Sequence, residues 1–344
     1  MNNLYKKILF GGIGSILLGG ILFLVGCSAN GFDFEFLSNV QIEQKEYIED
    51  ESKNITELSF DFDSTDFTVN FDENAQEVSV SYPQRQDKSG KNVSEITVTE
   101  TENSLTITEK ALFHISIVDF TEKKMTVTLP TSQAYALSFQ GDTGNVTVNA
   151  GGSFSTLTVK VSTGNITLNS VQADEFQATV STGNMKVNGA TVAGAITTKA
   201  STGDTSLSSI TASSLSVKAS TGNVKINGAT VTDALSVETS TGDITLLGNV
   251  TADSVTVVAD TGNVKASEAV VDATTLSFTT NTGDVKVKLT GKKHDYATTI
   301  TTSTGDTNIS SNLENVQEGL INPARTLKAK TSTGNIKIYF TSEN

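Results

Sequence analysis

One short turn dominates this sequence. Thr-Gly-Asn or Thr-Gly-Asp, usually preceded by Ser, occurs ten times, with its glycine at Gly144, Gly164, Gly183, Gly203, Gly222, Gly242, Gly262, Gly283, Gly305 and Gly334. The spacings are 20, 19, 20, 19, 20, 20, 21, 22 and 29 residues. A motif repeated at a period near 20 is the mark of a chain that stacks copies of one small unit.

The residues around each glycine show what that unit is. Two and four positions after it stand apolar residues in most copies: Ile166 and Leu168, Val224 and Ile226, Ile244 and Leu246. Seven and five positions before it the pattern recurs: Leu157 and Val159, Leu215 and Val217, Leu235 and Val237. Thr, Ser and Lys alternate with them. Period-two alternation means strands with one face buried, so each copy reads as two short strands joined across a corner. Gly suits that corner because it reaches positive φ without steric cost, and Asn or Asp can bond nearby backbone there. One such pair cannot bury its own apolar face, whereas stacked coils can. The expected fold is therefore all-β: a single-stranded β-helix, or β-solenoid, of about ten coils of ~20 residues.

The rest of the chain divides around this array. Residues 131–344 carry the repeats, with an insertion near 310–325 (SNLENVQEGLINPAR) that predicts a surface loop or short helix. Residues 58–130 alternate as strands but have degenerate turns, with Asp66 where a glycine would stand, and read as an atypical N-terminal β region and cap. The Glu-rich residues 28–57 read as an exposed acidic stalk.

Residues 1–27 read as a membrane anchor. MNNLYKK precedes nineteen uncharged residues, 8–26; as a helix at ~1.5 Å per residue these would span ~28 Å, close to the ~30 Å hydrocarbon core. The basic flank places the N-terminus in the cytoplasm and residues 28–344 outside. Leu24-Val25-Gly26-Cys27 also matches a bacterial lipobox, which would lipidate Cys27 and remove what precedes it. A retained transmembrane helix and a lipid anchor both stand as readings. Either puts the repeats on the outer face of a cell membrane.

Charge is uneven along the chain. The net charge is −14. Residues 28–130 hold 21 acidic and 8 basic side chains, and residues 131–344 hold 17 and 14. An acidic chain is the wrong sign for a nucleic-acid partner. Cys27 is the single cysteine, so no intrachain disulfide forms.

A search for chemistry returns little. There is no Gly-x-Ser-x-Gly elbow, P-loop or Cys/His metal spacing. His114 and His294 are far apart in the chain, and Arg325 stands alone in the insertion. The sequence therefore points to no enzyme, no cofactor and no catalytic residue. The turn row of Asn and Asp is the best-ordered polar feature; Asp284 and Asp306, if stacked, are weak calcium candidates, because calcium takes oxygen ligands. Outward lysines also form rows, Lys186, Lys225, Lys265 and Lys286 three positions after the glycine and Lys160, Lys199, Lys218 and Lys330 four before it. Such rows keep sheet faces soluble, and they also suit anionic wall polymers or lipid headgroups.

The stretch MTVTLPTSQAYALSFQGDTGNVTVNA (125–150) resembles a bacterial β-strand-repeat family of adhesin-like proteins, otherwise a domain of unknown function common in Gram-positive cell envelopes. Its members often carry an N-terminal membrane segment followed by a stretch like Gly31-Phe32-Asp33-Phe34. The resemblance covers roughly residues 58–340 and brings no catalytic residues with it. It implies a surface-displayed binding protein, with cell-wall polymer or another envelope protein as partner. Some relatives are implicated in envelope-stress signalling, which implies as the alternative a regulatory component that meets cationic antimicrobial peptides.

Overall fold

The computed structural model describes residues 38–112, 121–309 and 323–341. The N-terminal anchor with Cys27, His114 and most of the 310–325 insertion lie outside the described residues. Apart from one turn of 3-10 helix at Lys293–Asp295, every regular element among them is a strand.

The strands form two parallel ladders that meet at the glycine turn. One runs through strands that precede the turn, among them Ala195–Thr202, Ser214–Thr221 and Ala234–Thr241, in register at Ile196, Leu215 and Leu235. The other runs through strands that follow it, among them Met185–Val192, Thr205–Ala212 and Val224–Val231, in register at Val187, Leu207 and Ile226. Repeats two strands apart in sequence are therefore neighbours in space. Stacking at ~4.8 Å per coil carries the equivalent apolar residues into one continuous core.

The middle coils have a further side that the two-strand reading missed. Six residues after the turn the backbone bends through the left-handed region, at Ser170, Gly189, Ser209, Gly228 and Gly248, with φ between 50° and 87°. Beyond the bend another apolar pair points inward: Ala190 and Val192, Ile210 and Ala212, Ala229 and Val231. One coil thus inserts Leu215, Val217, Val224, Ile226, Ala229 and Val231, all 3% exposed or less. Fully burying a large aliphatic side chain is worth roughly 1.5–3 kcal/mol, but only when the neighbouring coils cover it. The period also varies near this bend. The Leu247-Gly248-Asn249 segment carries an extra residue, so Ala229 pairs with Val250 and the register slips there.

Sequence order and stacking order part company at both ends. The coil Glu57–Asp72 lies between the coil Ser104–Pro130 and the coil Ala134–Val148, because Leu58 pairs with both Leu105 and Leu137. At the far end Arg325–Phe340 slides between Thr275–Leu289 and Tyr296–Ile309, since Ala329 pairs with both Phe278 and Ile300. The 29-residue step from Gly305 to Gly334 spans this return. The chain completes the outermost coil and then returns one level inward. The Asp272 carboxylate holds Arg325 at 2.8 Å, and the Arg325 guanidinium donates to the Tyr296 hydroxyl at 3.0 Å. Arg325 opens a strand and is not the solitary insertion residue its sequence context suggests. Twelve strands stand in each ladder among the described residues, so the stack measures about 50 Å at the ~4.8 Å spacing.

Antiparallel strands cover the N-terminal end. Ser94–Glu100 pairs with Ser104–Ala111, while Ser79–Asp87 pairs with Lys124–Pro130 and then with Val40–Ile48. Residues 40–48, inside the segment expected to be an exposed stalk, are therefore a strand. Just past it the buried Glu49 carboxylate accepts the backbone N–H groups of Ile55 at 2.5 Å and Val78 at 2.8 Å, tying the strand to the cap. Aromatic rings fill this end: Phe67 stacks on Phe139 with centroids 4.2 Å apart, and Phe71 meets Phe154 edge-on at 5.3 Å.

Candidate functional site

The polar row at the glycine corner is continuous from the coil Glu57–Asp72 to the far end of the stack. The backbone N–H of each Asn or Asp donates to the side-chain Oδ1 of its counterpart one coil away: Asn165 to Asn145 at 3.0 Å, Asn184 to Asn165 at 2.9 Å, Asp204 to Asn184 at 2.9 Å. The run continues through Asn223, Asp243 and Asn263 to Asp284. It begins at Asp66, which accepts from Asn145 N–H at 2.6 Å. Asp66 therefore occupies the Asn/Asp position, and Thr65 occupies the glycine position; the sequence reading had placed them one residue out of step.

The glycines serve the same contact. A Cβ on Gly183 would stand 1.9 Å from the Gly164 carbonyl oxygen, and φ there is 140°. Backbone conformation and coil-to-coil approach both demand glycine. The ten sequence-predicted turn glycines, Gly144 to Gly334, all adopt this conformation, with φ between 129° and 145°.

Acidic and amide residues alternate along the row in space. From Asp204 the order is Asn223, Asp243, Asn263, Asp284, Asn335, Asp306, because Asn335 N–H donates to Asp284 Oδ1 and Asp306 N–H to Asn335 Oδ1. This corrects the calcium expectation. Asp284 and Asp306 are not neighbours; the displaced last coil puts Asn335 between them. The alternation has a chemical cause. An Asn can add an Nδ2–H donor to the carboxylate beside it, as Asn263 does to Asp243 at 3.1 Å. Two adjacent carboxylates would have no such donor and would repel. Asp243 also binds Lys265; burial raises its carboxyl, but the bonds from Asn263 and Lys265 outweigh that and hold it below the usual range. Among the described residues no group of three or more His, Cys, Asp or Glu is placed to hold a metal ion.

Two polar features escaped the sequence reading. A second amide ladder, Asn70–Asn149–Asn169–Asn188, runs along the strands after the turn, with Nδ2 donors at 2.8, 3.4 and 2.9 Å. Spacing from the glycine would have revealed it, because three of the four stand five residues after Gly144, Gly164 and Gly183. Glu109 lies buried near the cap, its carboxylate 3.7 Å from the Arg85 guanidinium. Burial pushes its pKa up, opposed by Ser94 and Arg85; nothing in the alternating sequence of its strand distinguishes it. His294 is on the short helix at Lys293–Asp295, 3.6 Å from the Asp295 carboxylate.

The lysines project from the outer faces, and their neighbours change along the stack. Near the middle, on the row after the turn, Lys225 lies between Ser206 and Thr245; on the row before it Lys199 stands opposite Lys218, which binds Glu238 at 2.9 Å. Lys265, Lys286 and Lys337, by contrast, stand on successive coils in register. Lys288 is opposite Tyr339 on the same face, and Lys286 lies over the Tyr339 ring at 5.9 Å.

The family model described as Toastrack DUF4097 matches residues 55–246 and again 176–339. No curated protein matches the chain. Among solved structures, a "putative adhesin" from Bacteroides fragilis is 14% identical, with 87% of this chain and 97% of that one covered and a TM-score of 0.40. A "putative lipid binding protein" from Parabacteroides distasonis is 14% identical, with 89% and 98% covered and a TM-score of 0.32. A further "putative adhesin", from Parabacteroides merdae, is 11% identical, with 88% and 97% covered and a TM-score of 0.29.

Proposed function

The chain belongs to the Toastrack DUF4097 family, and from that premise we propose that it is a non-enzymatic, adhesin-like binding and display protein of the bacterial cell envelope. In this reading residues 1–27 hold it to the membrane and residues 28–344 face outward. The observation that carries the reading is the turn row. The most regular polar side chains of the molecule bond to one another along the stack, from Asp66 to Asp306, so they serve rigidity and leave no reactive pair free for catalysis. What remains is a stiff support about 50 Å long at the usual strand spacing, with Thr, Ser and Lys on its faces.

The test is protease shaving of intact cells, followed by intact mass of the protein taken from the membrane. Loss of the repeats to external protease, with a mass either of the full 36.2 kDa chain or of a lipidated chain beginning at Cys27, supports the reading. Protection of the repeats in intact cells rejects it.

A second reading, capture of cationic peptides, is favoured by the cap. Described residues 38–130 hold 18 acidic and 8 basic side chains. Binding of a cationic peptide that disappears at high salt supports this role; binding that persists in the presence of salt argues against it.

A further inference from the structure

We propose that the end of the stack remote from the cap is a binding surface for an anionic polysaccharide. This deepens the display reading by naming a partner class, and it rests on that reading for its biological setting. The first observation is charge polarity. The described residues from 275 onward hold eight basic and three acidic side chains, whereas the cap end holds 8 and 18. A chain of net charge −14 thus gathers a local positive excess on its last three coils.

The second observation is how the lysines are arranged there. Lys286 and Lys337 occupy paired positions on adjoining coils, with Lys288 and Tyr339 paired two residues along on the same outer face. On the other ladder Lys328 and Lys330 alternate outward from the strand Arg325–Thr333. No carboxylate of the described residues forms an ion pair with any of these five lysines, unlike Lys218 with Glu238 and Lys265 with Asp243. Like charges directly opposite one another in a ladder oppose folding. Elsewhere on this row Ser and Thr separate them, as Ser206 and Thr245 do around Lys225. On the row before the turn Lys199 and Lys218 are also opposed, but Glu238 binds Lys218 there; Lys286 and Lys337 stand opposed with no such carboxylate bound to either.

The third observation is Tyr339, half-buried among these lysines. An aromatic face offers a sugar ring an apolar platform, and ammonium groups repeated at the ~4.8 Å coil spacing offer a charged polymer successive contacts. Together they suit a chain of sugars that carries carboxylate or phosphate groups. Residues 1–27 and the acidic cap are at the opposite end of the sequence order, so an anchored molecule would present this surface away from its own bilayer.

The experiment uses the full chain in a non-ionic detergent and measures retention on immobilised polygalacturonate, with dextran as the neutral control and phosphatidylglycerol vesicles as the lipid comparison. The Lys286→Glu/Lys337→Glu pair is compared with Lys186→Glu/Lys225→Glu, which makes the same charge change on the same row farther from the end. Circular dichroism verifies that both pairs remain folded, and Tyr339→Ala supplies a variant of unchanged charge. Expected are retention on polygalacturonate but not dextran, at least a tenfold loss for the terminal pair and Tyr339→Ala weakening, with the middle pair close to wild type. Equal losses from both pairs, no retention at physiological salt, or vesicle binding as tight as polygalacturonate binding would overturn the proposal. None of these results bears on surface exposure, which shaving measures separately.

Discussion

The backbone N–H of Asn335 donates to Asp284 Oδ1 at 2.7 Å, although 51 residues separate the two in the chain. The bond exists because the last coil in sequence is the penultimate coil in space. It places an amide between Asp284 and Asp306, so acid and amide alternate without interruption to the end of the row.

Asn335→Asp should destabilise the molecule by about 1–2 kcal/mol at pH 7, since it creates three successive carboxylates and removes the Nδ2–H bond to Asp284. Protonation relieves the repulsion, so the deficit should shrink as the pH falls below about 4. Millimolar calcium should raise the melting temperature of the variant more than that of the wild type. Thermal melts with and without calcium, at two pH values, decide this.

Gly222→Ala should be among the most damaging single substitutions. Its Cβ would sit 2.0 Å from the Gly203 carbonyl oxygen at φ 138°, and clash and strain together should exceed about 3 kcal/mol. Gly90 provides the contrast. It too has positive φ, +82°, but nothing lies within 4 Å of its Cβ position, so Gly90→Ala should cost only about 1 kcal/mol. Urea denaturation of the two variants separates stacking from backbone conformation, and similar losses would show that the close approach contributes nothing.

Thr198 and Thr205 are 0% and 2% exposed, in one coil, and neither hydroxyl has a hydrogen-bond partner. Replacing each with Val keeps the shape and removes an unsatisfied polar group. Each variant should gain about 1 kcal/mol, read as a higher urea midpoint with an unchanged slope.

Glu109 sets a pH dependence. Burial raises its folded-state pKa above the ordinary 4.5, so the folded protein holds this proton more tightly than the unfolded chain. Its contribution to stability is full below the ordinary value and is lost as pH rises through the raised one. The slope is at most about 1.4 kcal/mol per pH unit for one proton. Glu109→Gln should remove that component from a stability profile between pH 4 and pH 8; an unchanged profile would mean the carboxylate ionises as easily folded as unfolded.

The sequence by itself determined the local unit. Period-two alternation selects strands, and Thr-Gly-Asn at regular spacing selects a corner that only glycine can turn, so the all-β stacked fold and the ten turn glycines were legible before any coordinates. The left-handed bend six residues later was less legible, because Ser170 and Ser209 share it with Gly189, Gly228 and Gly248 and no single residue type marks it. The strand at Val40–Ile48 was obscured by its charges, which an edge strand carries on its water-facing residues.

Only the tertiary structure decided which coil stacks on which. Every repeat offers nearly the same edge to its neighbour, so pairing in sequence order and pairing with one coil displaced satisfy the local pattern equally well. The difference is made by contacts distant in the chain, such as Arg325 with Asp272 and the cap strands on Lys124–Pro130. On that order depend the separation of Asp284 from Asp306 and the pairing of Lys286 with Lys337.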